Sequence, residues 1–274
     1  MRGDPAVGKY IRANGLDVYY LEAGSGDPLL LLHGGTMSAR RSWSEHLLLF
    51  ARYYRVIAPD ARGHGNTFNP SGHYSYPLLA DDVVALSEAL ALDRPLICGF
   101  SNGGIVASLI AMRQPTLVRA LVSAAGYDLF HVGNYERLRE VFGGDPHALV
   151  PDLDGFERRY PDWVARMRQD HDATQGQDHW RTLIRQAWPM WSQPMNYTFD
   201  DFRRVLAPML IMVGDRDEFC SVEEALTVYR LLSHGELAIL PNMDHAFDAL
   251  AAQLALAFLL RHSSRQEQGN PGQS

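Results

Sequence analysis

The chain reads as an α/β protein: a mostly parallel eight-stranded sheet with helices on both faces and a helical segment inserted late in the fold. Three observations predict this. Six short apolar runs without polar alternation recur along the 274 residues, a hairpin pattern precedes them, and helix-like segments separate most of them.

The hairpin comes first. Residues 8–11 and 16–21 flank Asn14-Gly15, a dipeptide that accepts the positive φ angles of a tight turn. The apolar runs follow at 29–32, 55–58, 96–100, 120–123, 209–213 and 237–240. A strand buried on both faces has no reason to alternate, so each run suits the interior of a parallel sheet. Between them, residues 78–90, 105–112, 222–232 and 247–260 carry apolar residues at helical spacing, with Ser221 and Glu224 spaced as a capping box. Strands alternating with helices imply right-handed βαβ crossovers.

The pattern breaks after residue 126. Residues 127–205 hold four tryptophans (Trp163, Trp180, Trp188, Trp191), many Arg and Asp, and no buried strand. Helical pieces are expected near 135–141, 156–167 and 179–187. This stretch reads as a cap over the C-terminal edge of the sheet, where α/β proteins bind ligands. The core is then 1–126 with 206–262, and the polar tail 263–274 is expected to be disordered. Trp163, Trp180, Trp188, Trp191, Met190, Met195, Tyr197 and Phe199 either line a pocket or pack cap to core.

The net charge of -7 and pI of 5.9 argue against nucleic acid or an anionic membrane as partner, since both recruit basic patches. No secretory h-region follows Met1, and two cysteines, Cys98 and Cys220, are too few for a disulfide framework. A cytoplasmic enzyme with free thiols and a small-molecule substrate is expected, with oligomeric state open. No paired His or Cys spacing suggests a metal, and no cofactor is implied.

The strongest chemical signal is Gly99-Phe100-Ser101-Asn102-Gly103, which follows an apolar run and opens a helix. Small neighbours let strand and helix meet at a sharp turn that lifts the Ser101 hydroxyl off the sheet, beside a helix N-terminus. A serine hydroxyl needs a base in contact. Among 11 histidines, His245 stands between the last strand and the last helix, at the same sheet edge. An acid to orient it is expected after the preceding strand, in Gly214-Asp215-Arg216-Asp217-Glu218. Asp217 is the first choice; Asp215 suits a turn bonding its own backbone, Glu218 a helix-entry or surface charge, and Asp128 is another place from which an acid could reach His245. An oxyanion hole is expected from the N–H groups of Gly35, in His33-Gly34-Gly35-Thr36, and Asn102. His33 and His64 are expected to hold loops by hydrogen bonds.

With these motifs, and with Asp60-Ala61-Arg62-Gly63-His64-Gly65, the chain resembles the α/β-hydrolase fold superfamily across residues 10–261, most closely its capped, cofactor-free esterase, lactonase and C–C-bond hydrolase branches. Asn102 departs from the apolar residue many relatives carry there. The resemblance implies a serine hydrolase cleaving a carboxylic ester or lactone through an acyl-enzyme on Ser101. C–C bond hydrolysis, thioester cleavage and perhydrolysis are alternatives on the same residues; a ligand sensor or a lyase is the alternative of a different class. Ser101 disfavours dehalogenase and epoxide hydrolase chemistry, which needs a carboxylate nucleophile.

Overall fold

The computed structural model describes residues 6–126, 132–193 and 197–263, with backbone only for 132–134. Asp128, Met195 and the tail beyond Ser263 lie outside the described residues.

The first half of the chain forms β1 (Val7–Ala13), β2 (Leu16–Ala23), β3 (Pro28–Leu32), α1 (Ala39–Trp43), α2 (Leu47–Ala51), β4 (Arg55–Pro59), α3 (Tyr76–Ala89), β5 (Leu96–Phe100), α4 (Asn102–Arg113) and β6 (Leu121–Ala124). Then come α5 (Val132–Gly143), α6 (Leu153–Arg159), α7 (Pro161–Gln175), α8 (His179–Trp191) and α9 (Phe199–Arg203). The chain returns to the sheet with β7 (Met209–Gly214), α10 (Val222–Leu231), β8 (Gly235–Leu240) and α11 (Ala249–Arg261).

The eight strands form one sheet in the order β1-β2-β4-β3-β5-β6-β7-β8. The β1–β2 and β2–β4 pairs are antiparallel and the rest parallel. Every residue of β5, β6 and β7 is buried, which is why those runs lack alternation. The hairpin turns at Asn14 and Gly15, both with positive φ. Strand order reverses around β3, whose neighbours are β4 and β5, and loops leaving the C-terminal ends of β3 and β5 diverge there.

The inserted helices differ from the expected pieces in two ways. The segment expected at 156–167 is two helices, because Tyr160 (φ −130°, ψ 55°) breaks the path ahead of Pro161, which starts α7 at a position proline favours. By contrast, α8 continues past Pro189 to Trp191. The short α1, α2 and α9 carry too few turns for a periodic signal and were not expected. Ser221 caps α10 by accepting from the Glu224 N–H at 3.2 Å.

Candidate active site

Ser101 sits between β5 and α4 with φ 53° and ψ −122°, a conformation L-residues seldom adopt, stabilised by its neighbours. Its N–H bonds Ala124 O of β6 at 2.8 Å, and its carbonyl accepts from Gly104 N–H at 2.8 Å. A Cβ on Gly99 would stand 2.1 Å from Gly103 O, so strand and helix meet at a distance only glycine permits.

His245 lies on the loop from β8 to α11. Its Nε2 is 3.0 Å from Ser101 Oγ, and its Nδ1 is 2.9 Å from Asp217 Oδ2. The Asp217 side chain is fully buried, and its Oδ1 also accepts the N–H groups of Phe219 and Cys220 at 2.8 and 2.9 Å. Those bonds aim the carboxylate at the imidazole. Phe100 and Phe219 pack on the ring, with centroids 5.1 and 4.9 Å away. Residues from three separate loops thus form one chain of contacts, Ser101 to His245 to Asp217.

The competing acids part company. Asp215 accepts from Met243 N–H at 3.2 Å, so it ties the neighbouring loop that leads to His245 and not its own turn. Glu218 is an exposed surface charge, as expected, and it pairs with Arg137 of α5, which links core and inserted helices.

The wall opposite Ser101 is the loop after β3. A Cβ on Gly35 would meet Asn102 Nδ2 at 2.4 Å and Trp191 at 2.9 Å, which places this glycine directly against the start of α4. The Asn102 side chain accepts from Tyr76 Oη of α3 at 3.0 Å, a tie between two helices that leaves its backbone N–H at the N-terminus of α4. His33 and His64 are buried loop ties, as expected: His33 Nδ1 lies 2.8 Å from Gly34 O and its Nε2 accepts from Ala61 N–H at 2.9 Å. His64 lies between Arg62 O and Gly35 O, at 2.9 and 2.8 Å.

Burial pushes the pKa of His33 and His64 down to about 4 and that of His171 down to about 3, so all three rings are neutral at pH 7. Neutrality matches the bonding of His33 and His171, each of which donates at one nitrogen and accepts at the other. His64 faces a carbonyl on both sides, so a neutral ring donates to one of them at a time. Cys98 is fully buried, with its thiol pushed up by burial, in keeping with a packing role.

Ser101 opens into a cavity of about 370 Å³, within the range of small-molecule sites. The inserted helices contribute Leu138, Phe142, Trp163, Met167 and Trp191 to its wall. Trp180 and Trp188 are buried elsewhere, Trp180 beneath the guanidinium of Arg181 at 4.6 Å. Phe199 is exposed. The aromatic content of the insertion is thus divided between pocket and packing.

Asp217, Cys220 and His245 bring ligand-type atoms within 4.8 Å of one another. Each is already engaged, Cys220 Sγ with Ala125 O at 3.2 Å, and an ion there would have to displace those bonds.

A parallel sheet with a strained serine turn at one strand end, and a histidine and an acid on the loops beside it, defines the α/β-hydrolase class. The model of that family, described as the alpha/beta hydrolase family, matches residues 29–256, and the chain belongs to it. The chain is 30% identical over 250 residues to a 2-hydroxy-6-oxo-6-(2'-aminophenyl)hexa-2,4-dienoic acid hydrolase of Metapseudomonas resinovorans, covering 87% of this chain and 84% of the relative. It is also 30% identical over 263 residues to a non-heme haloperoxidase of Rhodococcus erythropolis, covering 90% of this chain and 96% of the relative. Among solved structures, a bacterial membrane phospholipase A aligns with a TM-score of 0.77 at 22% identity, over 94% of this chain and 87% of that one; at this identity it speaks to fold alone. By family and relatives the protein is a hydrolase-type enzyme. Among the described residues no helix is long and apolar enough to cross a membrane.

Proposed function

We propose that this protein is a serine hydrolase that cleaves a carboxylic ester or lactone through an acyl-enzyme on Ser101, with residues 127–205 acting as a cap over the pocket. The observation that carries the reading is the continuous contact from Ser101 Oγ through His245 to the buried Asp217, facing a largely apolar cavity. His245 Nε2 takes the Ser101 proton as Oγ attacks the acyl carbon. The carbonyl oxygen, now an oxyanion, is met by the N–H groups of Gly35 and Asn102. Collapse expels the alkoxide, which receives the proton from His245, and water activated by the same nitrogen releases the acid. Asp217 keeps the proton on Nδ1 and stabilises the imidazolium.

A second reading is hydrolysis of a C–C bond. It is favoured by the Metapseudomonas relative, whose name describes a dienoic acid substrate, and Arg166 on the cavity wall could face such a carboxylate. The decisive experiment is Ser101→Ala assayed on a 4-nitrophenyl ester and on a 6-oxo-dienoic acid, with fluorophosphonate labelling of the unaltered enzyme. Turnover of the preferred substrate should fall by roughly 10⁴-fold or more and the label should map to Ser101. Retained turnover without labelling would sink the proposal. Preference between the two substrates selects ester or C–C chemistry.

A further inference from the structure

Three successive carbonyls of the loop facing Ser101 lie against three different histidine rings. Gly34 O is 2.8 Å from His33 Nδ1, Gly35 O is 2.8 Å from His64 Nε2, and Thr36 O is 3.2 Å from His171 Nε2. The rings form a row, with centroids 5.0 Å apart for His33 and His64 and 5.7 Å for His64 and His171. Their other nitrogens all engage the backbone of a second loop: Ala61 N–H on His33, Arg62 O beside His64 and Gly65 N–H on His171. All three rings are buried, and His171 is completely so.

His171 is the unexpected member, because it comes from the inserted helix α7. The same helix sends Trp163 Nε1–H to Thr36 Oγ1 at 2.9 Å, and its Asp170 accepts from Ser38 N–H at 3.3 Å and from Arg41 Nε at 3.0 Å. In a trans peptide the N–H points opposite to the C=O, and no cis peptide occurs among the described residues. A donor fixed on Gly34 O therefore sets the direction of the Gly35 N–H; His171 Nε2–H on Thr36 O, and His64 in the tautomer that donates to Gly35 O, stop the following planes from turning it away.

We infer that His171 is a positioning residue for acyl transfer: with His33 and His64 it clamps three consecutive peptide planes, which makes α7 a fixed part of the oxyanion wall and not only a cover for the pocket. The inference rests on the serine-hydrolase reading. Misdirecting one oxyanion donor costs roughly 10–10³-fold in turnover, with little change in ground-state binding.

The test compares His171→Leu, which keeps volume but has no donor, with His171→Gln, which keeps an amide N–H. His171→Leu should lower kcat on a 4-nitrophenyl ester by roughly 10²-fold with KM within about twofold, and weaken a trifluoromethyl ketone, which forms a hemiketal oxyanion, by the same factor; His171→Gln should recover at least about tenfold of the lost kcat. A folded His171→Leu enzyme with wild-type kcat overturns the clamp. So does a loss of kcat with unchanged ketone affinity. If His171→Leu does not fold, ¹⁵N-histidine-labelled wild-type enzyme decides: the His171 Nε2–H resonance should shift on hemiketal formation and stay fixed when the ketone meets Ser101→Ala, and an unmoved resonance in the wild-type adduct overturns the clamp. Ser101→Ala run in parallel separates the two ideas: an inactive Ser101→Ala beside a fully active His171→Leu removes the clamp alone, and an active Ser101→Ala removes the hydrolase reading beneath it.

Discussion

The two walls of the site are built in opposite ways. On one side, the turn that carries Ser101 is made from its own strand and helix: Gly99 approaches Gly103 within the motif, and the remaining ties are backbone bonds to the next strand. On the other side, the loop at Gly34, Gly35 and Thr36 has no regular structure of its own, and it is held by the ring of its neighbour His33 and by side chains from two distant stretches, His64 and His171. A nucleophile can be placed by local covalent geometry. On the proposed reading, the Gly35 N–H sits on an irregular loop whose planes are held by His33 beside it and by His64 and His171 brought in from elsewhere. The first wall should fail by misfolding, the second by losing rate while keeping its fold.

The largest effect that would test this contrast lies at the shared element between the walls. Asp217→Asn leaves size unchanged but removes the acceptor for the Nδ1 proton, and turnover should fall by roughly 10⁴-fold in steady-state assays. An unchanged rate would move the role to another acid, Asp128 first. Next, Gly99→Ala forces a Cβ to 2.1 Å from a backbone carbonyl. Stability should drop on the order of 3 kcal/mol in urea denaturation, and activity should go with it. Gly35→Ala meets side chains and not backbone: the Asn102 amide, which can rotate, and the edge of the buried Trp191 ring, which must shift slightly. It should cost roughly 10²-fold in kcat with a smaller fall in melting temperature than Gly99→Ala. If Gly35→Ala melts as early as Gly99→Ala, the two walls are not different in kind.

The pH dependence of stability sharpens the same contrast. Burial holds the folded pKa values of His33, His64 and His171 down to about 4, 4 and 3, below the ordinary imidazole value of 6.5, so the unfolded chain binds more protons between those limits. Their contribution to stability is complete above pH 6.5 and is lost as pH falls toward 4 and 3. Asp60, raised by burial, acts in the opposite sense. Chemical denaturation at a series of pH values should show net proton uptake on unfolding near pH 5, reduced by roughly one proton in His171→Gln. The smallest effect is expected at Glu218→Gln. Its pair with Arg137 is half-exposed, so the melting temperature should hardly change and stability should fall by less than about 1 kcal/mol.

Much of this was visible in the chain itself where a local rule governs. The run at 96–100 followed by a glycine-serine turn requires a buried strand meeting a helix, so Ser101 could be placed before any coordinates. His245 and Asp217 were reachable because strand order puts both loops at the same sheet edge. The break at Tyr160 was missed because the apolar spacing of α6 runs on into α7, and only the proline at 161 marks the joint. His171 gave no signal, since a histidine amid polar residues of a helix reads as surface.

By itself, then, the sequence determined the sheet, the elbow and the three residues joined at its edge. Apolar runs and glycine turns act over a few residues, and the βαβ rule orders what lies between them. Only the tertiary structure decided which of the tryptophans face the cavity, that Asp215 ties the neighbouring loop, and that a histidine from α7 ends up on Thr36 O. The Asp215 tie depends on how two core loops 28 residues apart meet, and the other two depend on how the inserted helices pack on the core, His171 reaching Thr36 across 135 residues; no periodicity in the chain encodes either docking.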